Sequence, residues 1–187
     1  MSVSKGGPIL TLEPLIDAIR SGVEGAGWEL SGLQKTTSHQ FEGRWEGDST
    51  RSAYLFFHVP DGPEFASVDV YLDETSRGLT GNLALVVDLV SLGGLGGIRD
   101  VLAALATASA REIAAERRRP LTLRFRMGDV DREVATAETE VRFKVRLDRD
   151  VIHSGPAGVT DLAAVVMAAF SRILQSPEVT VLADHDE

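Results

Sequence analysis

A glycine-rich turn between an apolar strand and a long helix is the part of this sequence best suited to binding a ligand. Residues 83–90 predict a strand, four glycines follow within residues 91–97, and a helix is predicted from Ile98. Phosphate-binding loops are built in this order, because backbone N–H groups at the start of a helix attract anions. The candidate ligand-binding residues are Asp88, Gly93, Gly94, Gly96, Gly97 and Arg99.

The turn matches neither of the two best-known phosphate-binding motifs. When Gly94 and Gly96 are aligned with G-x-G-x-x-G, Arg99 stands where the third glycine belongs. A P-loop ends in Gly-Lys-Ser/Thr, whereas Gly97 is followed by Ile98 and Arg99. Two interpretations stay open. The turn either binds an anion beside an arginine, or its glycines allow the helix and the sheet to pack closely. The second interpretation is favoured.

Asp88 stands within an otherwise apolar strand. A buried carboxylate must be paired, hydrogen-bonded or protonated, and such groups sometimes mark functional sites. If that face of the strand is open, the same residue is merely solvated. The solvated interpretation is favoured, with a ligand contact as the alternative.

The residues that usually carry catalysis do not form a recognisable constellation. Asp69 and Asp73 share a strand face but stand roughly 13 Å apart, beyond the ~5–9.5 Å that two-carboxylate hydrolysis requires. No two histidines have the H-E-x-x-H spacing, and no cysteine can act as nucleophile or metal ligand. We therefore predict no cofactor and no metal, and favour a protein that is not an enzyme.

A second pattern is the alternation of basic and apolar residues over residues 121–127 and 139–147, a predicted hairpin. The basic side chains share one face of this hairpin: Arg124, Arg126, Arg142, Lys144 and Arg146. They predict either a solvated face paired with acids such as Asp69, Asp73 and Glu140, or a docking strip for an acidic partner. Pairing is the favoured interpretation.

Apolar residues at helical spacing predict three helices. The first covers residues 12–25 behind a Thr11 cap, and the second runs for some twenty residues from Ile98. The third begins after a Thr160 cap and is closed by Ser176 and Pro177. These helices would lie on the sheet that the remaining segments form.

Alternating residues predict a mostly antiparallel sheet of five to six strands, which gives an α+β fold in the order α-β-β-β-β-α-β-β-α. Residues 28–34 form a short strand in this prediction, and residues 39–46 pair with 52–59 as a hairpin. One domain is predicted over residues 1–182, followed by a disordered acidic tail over residues 183–187.

Residues 54–59 and 83–90 are apolar on both strand faces. Such strands are buried on both sides, so something must cover the face that the helices do not. A homodimer is the favoured explanation, and further helices of the same chain or a bound protein segment are the alternatives.

The composition restricts the choice of partners. The formal net charge is −9 at pH 7, so long-range repulsion makes nucleic acid an unfavourable ligand. No secretory signal or membrane-spanning stretch is recognisable, so a cytoplasmic location is expected. The excess of arginine over lysine suggests a GC-rich bacterial genome.

The predicted function is binding of a protein or peptide partner, in a chaperone-like or adaptor role. The element order is similar to that of the type III secretion chaperones, which are small acidic proteins, although this chain is longer than those usually are. The alternative is a small-molecule or phosphate-ligand-binding protein, possibly an enzyme, that uses residues 93–99.

Overall fold

The computed structural model of this protein describes residues 7–38, 50–88, 98–114, 122–126 and 138–183. Within these ranges it contains five helices and six strands, which together form the α+β fold that the sequence predicts. The helices are α1 Leu12–Gly25, α2 Ile98–Glu112, α3 Arg149–His153, α4 Pro156–Leu174 and α5 Pro177–Ala183. The strands are β1 Glu29–Ser38, β2 Thr50–His58, β3 Ala66–Thr75, β4 Gly78–Asp88, β5 Thr122–Arg126 and β6 Glu138–Arg146.

The six strands form one sheet in the order β1-β2-β3-β4-β6-β5, and every pairing is antiparallel. The first four strands follow one another as a meander. The chain then crosses through α2 and returns as the β5–β6 hairpin, which places β6 beside β4, with Leu85 opposite Phe143. This arrangement leaves β1 and β5 at the two edges.

The two faces of the sheet differ in chemistry because residues alternate along each strand. On β3, Val68, Val70 and Leu72 are buried, whereas the residues between them are only partly buried. The buried set belongs to one continuous core that also contains side chains from all five helices, and we call this side the core face. We call the opposite side the outer face. It carries Ser52, Tyr54, Phe56, Asp69, Tyr71, Asp73, Asn82, Ala84, Val86, Arg142, Lys144 and Arg146.

Helices α1 and α4 cover the core face and pack closely on each other. The contact is possible because Gly22 has no side chain: a Cβ there would lie 2.5 Å from the Thr160 carbonyl oxygen and 2.6 Å from the Ala163 Cβ. Beside it, the Thr160 hydroxyl donates a hydrogen bond of 3.0 Å to the Ala18 carbonyl oxygen. Small residues thus let the two backbones approach, as at other close helix crossings.

The start of α1 is held by strand residues. Thr11 occupies the N-cap position but makes no capping hydrogen bond with its side chain. The carboxylate of Glu74 on β3 accepts a 2.9 Å hydrogen bond from the Leu12 backbone N–H instead. Glu13 accepts further bonds from Lys35 and Arg51, and the hydrogen bond from Lys35 lowers the pKa of Glu13. The helix is therefore positioned by the sheet.

A second ion network joins the ends of three helices. Arg111 on α2 donates to both carboxylate oxygens of Glu178 on α5, at 3.0 and 3.2 Å. Arg172 on α4 donates to Glu112 on α2 at 2.5 Å. The bonds from Arg111 lower the pKa of Glu178 to about 2.

Several element boundaries differ from the prediction. Strand β1 covers Glu29–Ser38 and is the hairpin partner of β2, a role predicted for residues 39–46, which lie outside the described residues. Helix α2 ends at Glu112, so it is shorter than some twenty residues. Its glycine-free interior gave no stop signal before Pro120.

The C-terminal helices also differ. Thr160 is not a cap but an interior residue of α4, which begins at Pro156 because proline suits the first helical turn. Helix α4 ends just before Ser176 and Pro177, as predicted, but Pro177 also starts α5, a helix that was not predicted. Helix α5 includes Ala183, the first residue of the predicted tail, and residues 184–187 lie outside the described residues.

By length and composition, α4 is long and apolar enough to cross a membrane, and 44% of its most apolar window is buried inside the fold. Its buried residues include Leu162, Val166 and Phe170, which join the core over the sheet. A core helix of this kind passes the same composition test, so the apolarity of α4 follows from its place in the core.

The α1–α4 contact predicts opposite effects for two nearby glycines. Gly22→Ala should lower the free energy of unfolding by about 1–3 kcal/mol, because the added methyl overlaps the α4 backbone. Gly25→Ala is the matched control, since a Cβ there meets nothing within 4 Å, and its stability should be unchanged or raised by up to about 1 kcal/mol. Urea unfolding followed by circular dichroism measures both; equal effects would refute the close contact.

The low pKa of Glu178 predicts a dependence of stability on pH. Its folded-state pKa is depressed from 4.5 to about 2, so the stabilisation by its charge is present above pH 4.5 and is lost as the pH falls towards 2. In Glu178→Gln, stability should therefore fall less between pH 5 and pH 2 than in the parent protein. Asp17→Asn, which removes an exposed carboxylate without an ion pair among the described residues, should keep the parent slope. Urea midpoints at four pH values provide the comparison.

Candidate functional site

The predicted ligand-binding turn is only partly described. Gly93, Gly94, Gly96 and Gly97 lie outside the described residues, so the phosphate-site hypothesis keeps the status of a prediction. Asp88 is the last residue of β4 and half-buried, and its backbone N–H donates to the Phe65 carbonyl oxygen at 2.8 Å. Arg99 is exposed in the first turn of α2.

Three aromatic side chains lie together on the outer face. Tyr54 of β2 is directly opposite Tyr71 of β3, and their ring centroids are 4.9 Å apart with the rings tilted at 45°. Phe56 follows two residues after Tyr54 on the same face. Tyr54 and Phe56 are each 38% exposed, which is a large exposure for aromatic residues in the middle of strands. The cluster is therefore an accessible apolar surface.

The exposure of Phe56 has a local cause in the edge strand. Gly32 of β1 lies directly opposite Phe56 and offers no side chain to cover the ring. A Cβ at Gly32 would already lie 3.3 Å from the ring carbon Cδ2. Next to this glycine a bulge shifts the register between Leu30 and Gly32, and the Ser31 hydroxyl donates to the Phe56 carbonyl oxygen at 3.0 Å. The edge strand thus leaves the ring uncovered.

A hydroxyl and a carboxylate lie next to the aromatic cluster on the outer face. The Ser52 hydroxyl donates a 2.7 Å hydrogen bond to Asp73, which is opposite it on β3. Burial raises the pKa of the neighbouring Tyr71 phenol. Tyr71 therefore stays protonated at neutral pH and can donate a hydrogen bond, while its ring lies against Tyr54.

Of the five predicted basic residues, Arg142 pairs with acidic neighbours. It donates to Asp69 on β3 at 2.7 Å and to Glu140 on its own strand at 3.0 Å. The Arg142 and Asp69 side chains are only 16% and 20% exposed. Cross-strand pairing is thus confirmed for Asp69, and Glu140 pairs with Arg142 along the same strand, whereas Asp73 accepts a hydrogen bond from Ser52. Arg142 is a structural residue.

Lys144 and Arg146 differ from Arg142 in their neighbours. They lie opposite Ala84 and Asn82 of β4, neither of which is charged, and they form no ion pair within the part of the chain that the structure describes. Lys144 is half-buried and Arg146 is exposed. The backbone register places Arg124 opposite Glu140 and Arg126 opposite Glu138. Two of the five predicted cations, Lys144 and Arg146, thus form no ion pair with any described residue.

The aromatic cluster and the two free cations share rows of the sheet. One row crosses Tyr54, Tyr71, Asn82 and Arg146, and the next crosses Phe56, Asp69, Ala84 and Lys144. We call this set the aromatic–basic patch; its binding groups are Tyr54, Phe56, Tyr71, Lys144 and Arg146. Adjacent strands are ~4.8 Å apart, so Phe56 and Lys144, three strands apart, are separated by roughly 14 Å.

The prediction that β2 and β4 are covered on both faces is confirmed only in part. Ala84 and Val86 of β4 are buried on the outer face, where Ala84 lies between Asp69 and Lys144 and Val86 lies beside Arg142. Tyr54 and Phe56 of β2 remain partly exposed, and each described helix contributes its buried side chains to the opposite, core face. The two-sided apolar pattern was therefore the sequence signal for the aromatic cluster, although the cluster itself was not predicted as a site.

The patch has the chemistry of a binding surface. Among the described residues, no group of three or more His, Asp or Glu side chains could hold a metal ion. Aromatic rings beside free cations can bind apolar side chains and carboxylates together. No protein-family model, curated protein or solved structure matches this chain.

The ion pair between Arg142 and Asp69 predicts a measurable coupling. Asp69→Asn should lower the free energy of unfolding by about 1–3 kcal/mol, because it leaves a largely buried arginine short of its counter-charge. A double-mutant cycle with Arg142→Met should give a coupling of at least about 0.5 kcal/mol.

The matched control is the exposed pair of Lys35 and Glu13, whose side chains are 46% and 47% exposed. Its coupling, measured with Lys35→Met and Glu13→Gln, should be smaller, below about 1 kcal/mol, because solvent screens it. If the Arg142–Asp69 coupling is zero within error, Arg142 is not structural and belongs with the free cations.

Proposed function

We propose that this protein is a non-catalytic binding protein, with a chaperone-like or adaptor role, whose aromatic–basic patch holds a segment of a protein partner. One observation carries the proposal: Tyr54 and Phe56 remain 38% exposed on the same sheet face as two cations that have no ion pair among the described residues. Exposed aromatic clusters of this kind are typical centres of protein interfaces. Free cations on the same face select for acidic partners.

The dimensions of the patch favour an extended segment. A distance of roughly 14 Å between Phe56 and Lys144 matches four to five residues of extended chain at ~3.3 Å each. An apolar or aromatic side chain of the partner would pack on Tyr54 and Phe56. An Asp or Glu a few residues along would reach Lys144 or Arg146. The ligand class is therefore a short acidic and aromatic peptide segment.

Nucleic acid is a poorer fit than a peptide. Single-stranded nucleic acid is held by base stacking and by a positively charged groove along its backbone. Here Arg142 is neutralised by Asp69 and Glu140, and the whole chain carries −9. A continuous phosphate backbone would meet this charge, whereas a peptide with one or two carboxylates needs only the two free cations.

A second copy of this chain is also a poorer fit for the patch. A two-fold symmetric contact brings the same surface of both copies together. The patch would then meet its own cations and rings, and Asp69, the carboxylate in the row of Phe56 and Lys144, is already paired with Arg142. A different protein can supply the missing acid.

The alternative function, a small-molecule or phosphate site at residues 93–99, has one cheap test. A ligand at 100 times its Kd stabilises a protein by about 2.7 kcal/mol. A thermal-shift screen with nucleotides and phosphate would therefore raise the melting temperature if that site is used. Arg99→Glu should abolish such a shift.

The proposal is tested by panning a random 12-residue peptide phage library on the full chain. We expect enrichment of peptides that combine Asp or Glu with Phe, Tyr or Trp. Synthetic peptides from the selection should then lose at least tenfold in affinity, by fluorescence anisotropy, on Phe56→Ser or on the pair Lys144→Glu and Arg146→Glu.

The controls make equal changes elsewhere. Leu10→Ser removes an apolar residue that is 72% exposed, and Arg77→Glu reverses an exposed arginine in the β3–β4 turn. Both should retain the parent affinity. Peptides without acidic residues, or affinities that ignore the patch variants, would contradict the proposal. A dimer in light scattering that Phe56→Ser dissociates would assign the patch to a second copy instead.

A further inference from the structure

A groove on the helical layer is a second apolar surface, separate from the outer face of the sheet. It has a volume of about 380 Å³ and lies between the end of α2, the start of α4 and the end of β6. Ile113, Val145, Leu162 and Val166 supply its apolar walls. This volume accommodates a few aliphatic side chains and is at the lower end for small-molecule sites.

Val165 marks the open side of the groove. It lines the cavity and is nevertheless 63% exposed, whereas Leu162 and Val166 beside it on α4 are buried. Exposed neighbours on the same helix, Ala164 and Ala168, are small and leave the valine accessible. A partner that covers Val165 would extend the apolar contact from the groove onto the surface of α4.

The charged residues at the rim of the groove indicate which charge a partner should carry. Glu112 lines the groove, but its carboxylate is bonded to Arg172 at 2.5 Å and to Arg111 at 3.4 Å. Asp161 also lines the groove, is exposed, and forms no ion pair or hydrogen bond with any side chain in the described ranges. The groove therefore offers apolar walls with one unsatisfied negative charge, which complements a partner that is apolar and basic.

The surroundings favour a helical partner over an extended one. Most of the described residues that line the groove lie on or next to helices, and among them only Val145 of β6 belongs to a strand. A further helix can lay the side chains of one face into a groove between helices. An amphipathic helix places apolar side chains at i and i+4 in such a groove and a basic residue beside them.

We propose that this groove binds an amphipathic, basic helix of a protein partner, with aliphatic side chains in the cavity and over Val165 and a lysine or arginine paired with Asp161. The site goes beyond the aromatic–basic patch, because it lies in the helical layer and selects the opposite charge. Together the two surfaces would let the chain hold two different partners.

The probe is a fluorescein-labelled 14-residue peptide with leucines at helical spacing on one face and lysines elsewhere. Its control has glutamate in place of every lysine. Fluorescence anisotropy with the full chain should show binding of the lysine peptide only. Val165→Glu should weaken that binding at least tenfold, and Asp161→Asn should weaken it about two- to fivefold, the effect of one exposed ion pair.

Matched variants distinguish binding at the groove from nonspecific attraction of a basic peptide to an acidic protein. Val181→Glu makes the same change at a valine that is 55% exposed on α5, and Asp17→Asn removes an exposed carboxylate of α1. Neither residue lines the groove, so both variants should bind the lysine peptide as the parent does. Phe56→Ser should also bind normally, which keeps this result independent of the patch.

The inference is overturned if Val165→Glu and Val181→Glu have equal affinities, or if Asp161→Asn and Asp17→Asn do. It is also overturned if the peptide does not bind while hexylamine raises the melting temperature of the parent but not of Val165→Glu, because the groove then serves a small apolar amine. Far-ultraviolet circular dichroism establishes that each variant is folded before its affinity is compared.

Discussion

The close crossing of α1 and α4 is the contact on which the rest of this structure depends. Gly22 lets the two backbones meet at Thr160 and Ala163, and Thr160 adds a hydrogen bond to Ala18. The pair then presents buried stripes from both helices to the same face of the sheet. Because each described helix adds its buried side chains to that core, the opposite face of the sheet is available for polar and aromatic residues.

The sequence predicted the parts of the fold whose residues repeat regularly. The apolar spacing of α1 and the alternation of β3 each lead directly to the observed element. It predicted only the first part of β1, as residues 28–34, and assigned the pairing with β2 to residues 39–46. Exposed polar residues such as Gln34, Lys35 and Thr36 hide the strand pattern there, because an edge strand buries little. The sequence also did not predict that Pro156 and Pro177 start helices, because a proline can start a helix as readily as it can follow one.

The candidate site was predictable only in part. The alternation of residues 139–147 correctly placed Arg142, Lys144 and Arg146 on one strand face, and it indicated acids that could pair with them. Which cation is neutralised depends on register across three strands, and this register places Asp69 within reach of Arg142 and leaves Lys144 opposite Ala84. No local pattern contains that information. The exposure of Phe56 likewise depends on a glycine 24 positions away, Gly32.

The distance along the chain between the two crossing helices has a consequence for synthesis on the ribosome. Thr160 and Ala18 are 142 positions apart, so the nascent chain presents the apolar stripe of α1 long before α4 has been made. At roughly 5–20 residues per second, this interval lasts about 7–30 s. During it, the N-terminal meander is without its second covering helix and is exposed to premature association. The core therefore cannot close over α1 until α4 has been made, and the arrival of α4 determines when α1 is protected.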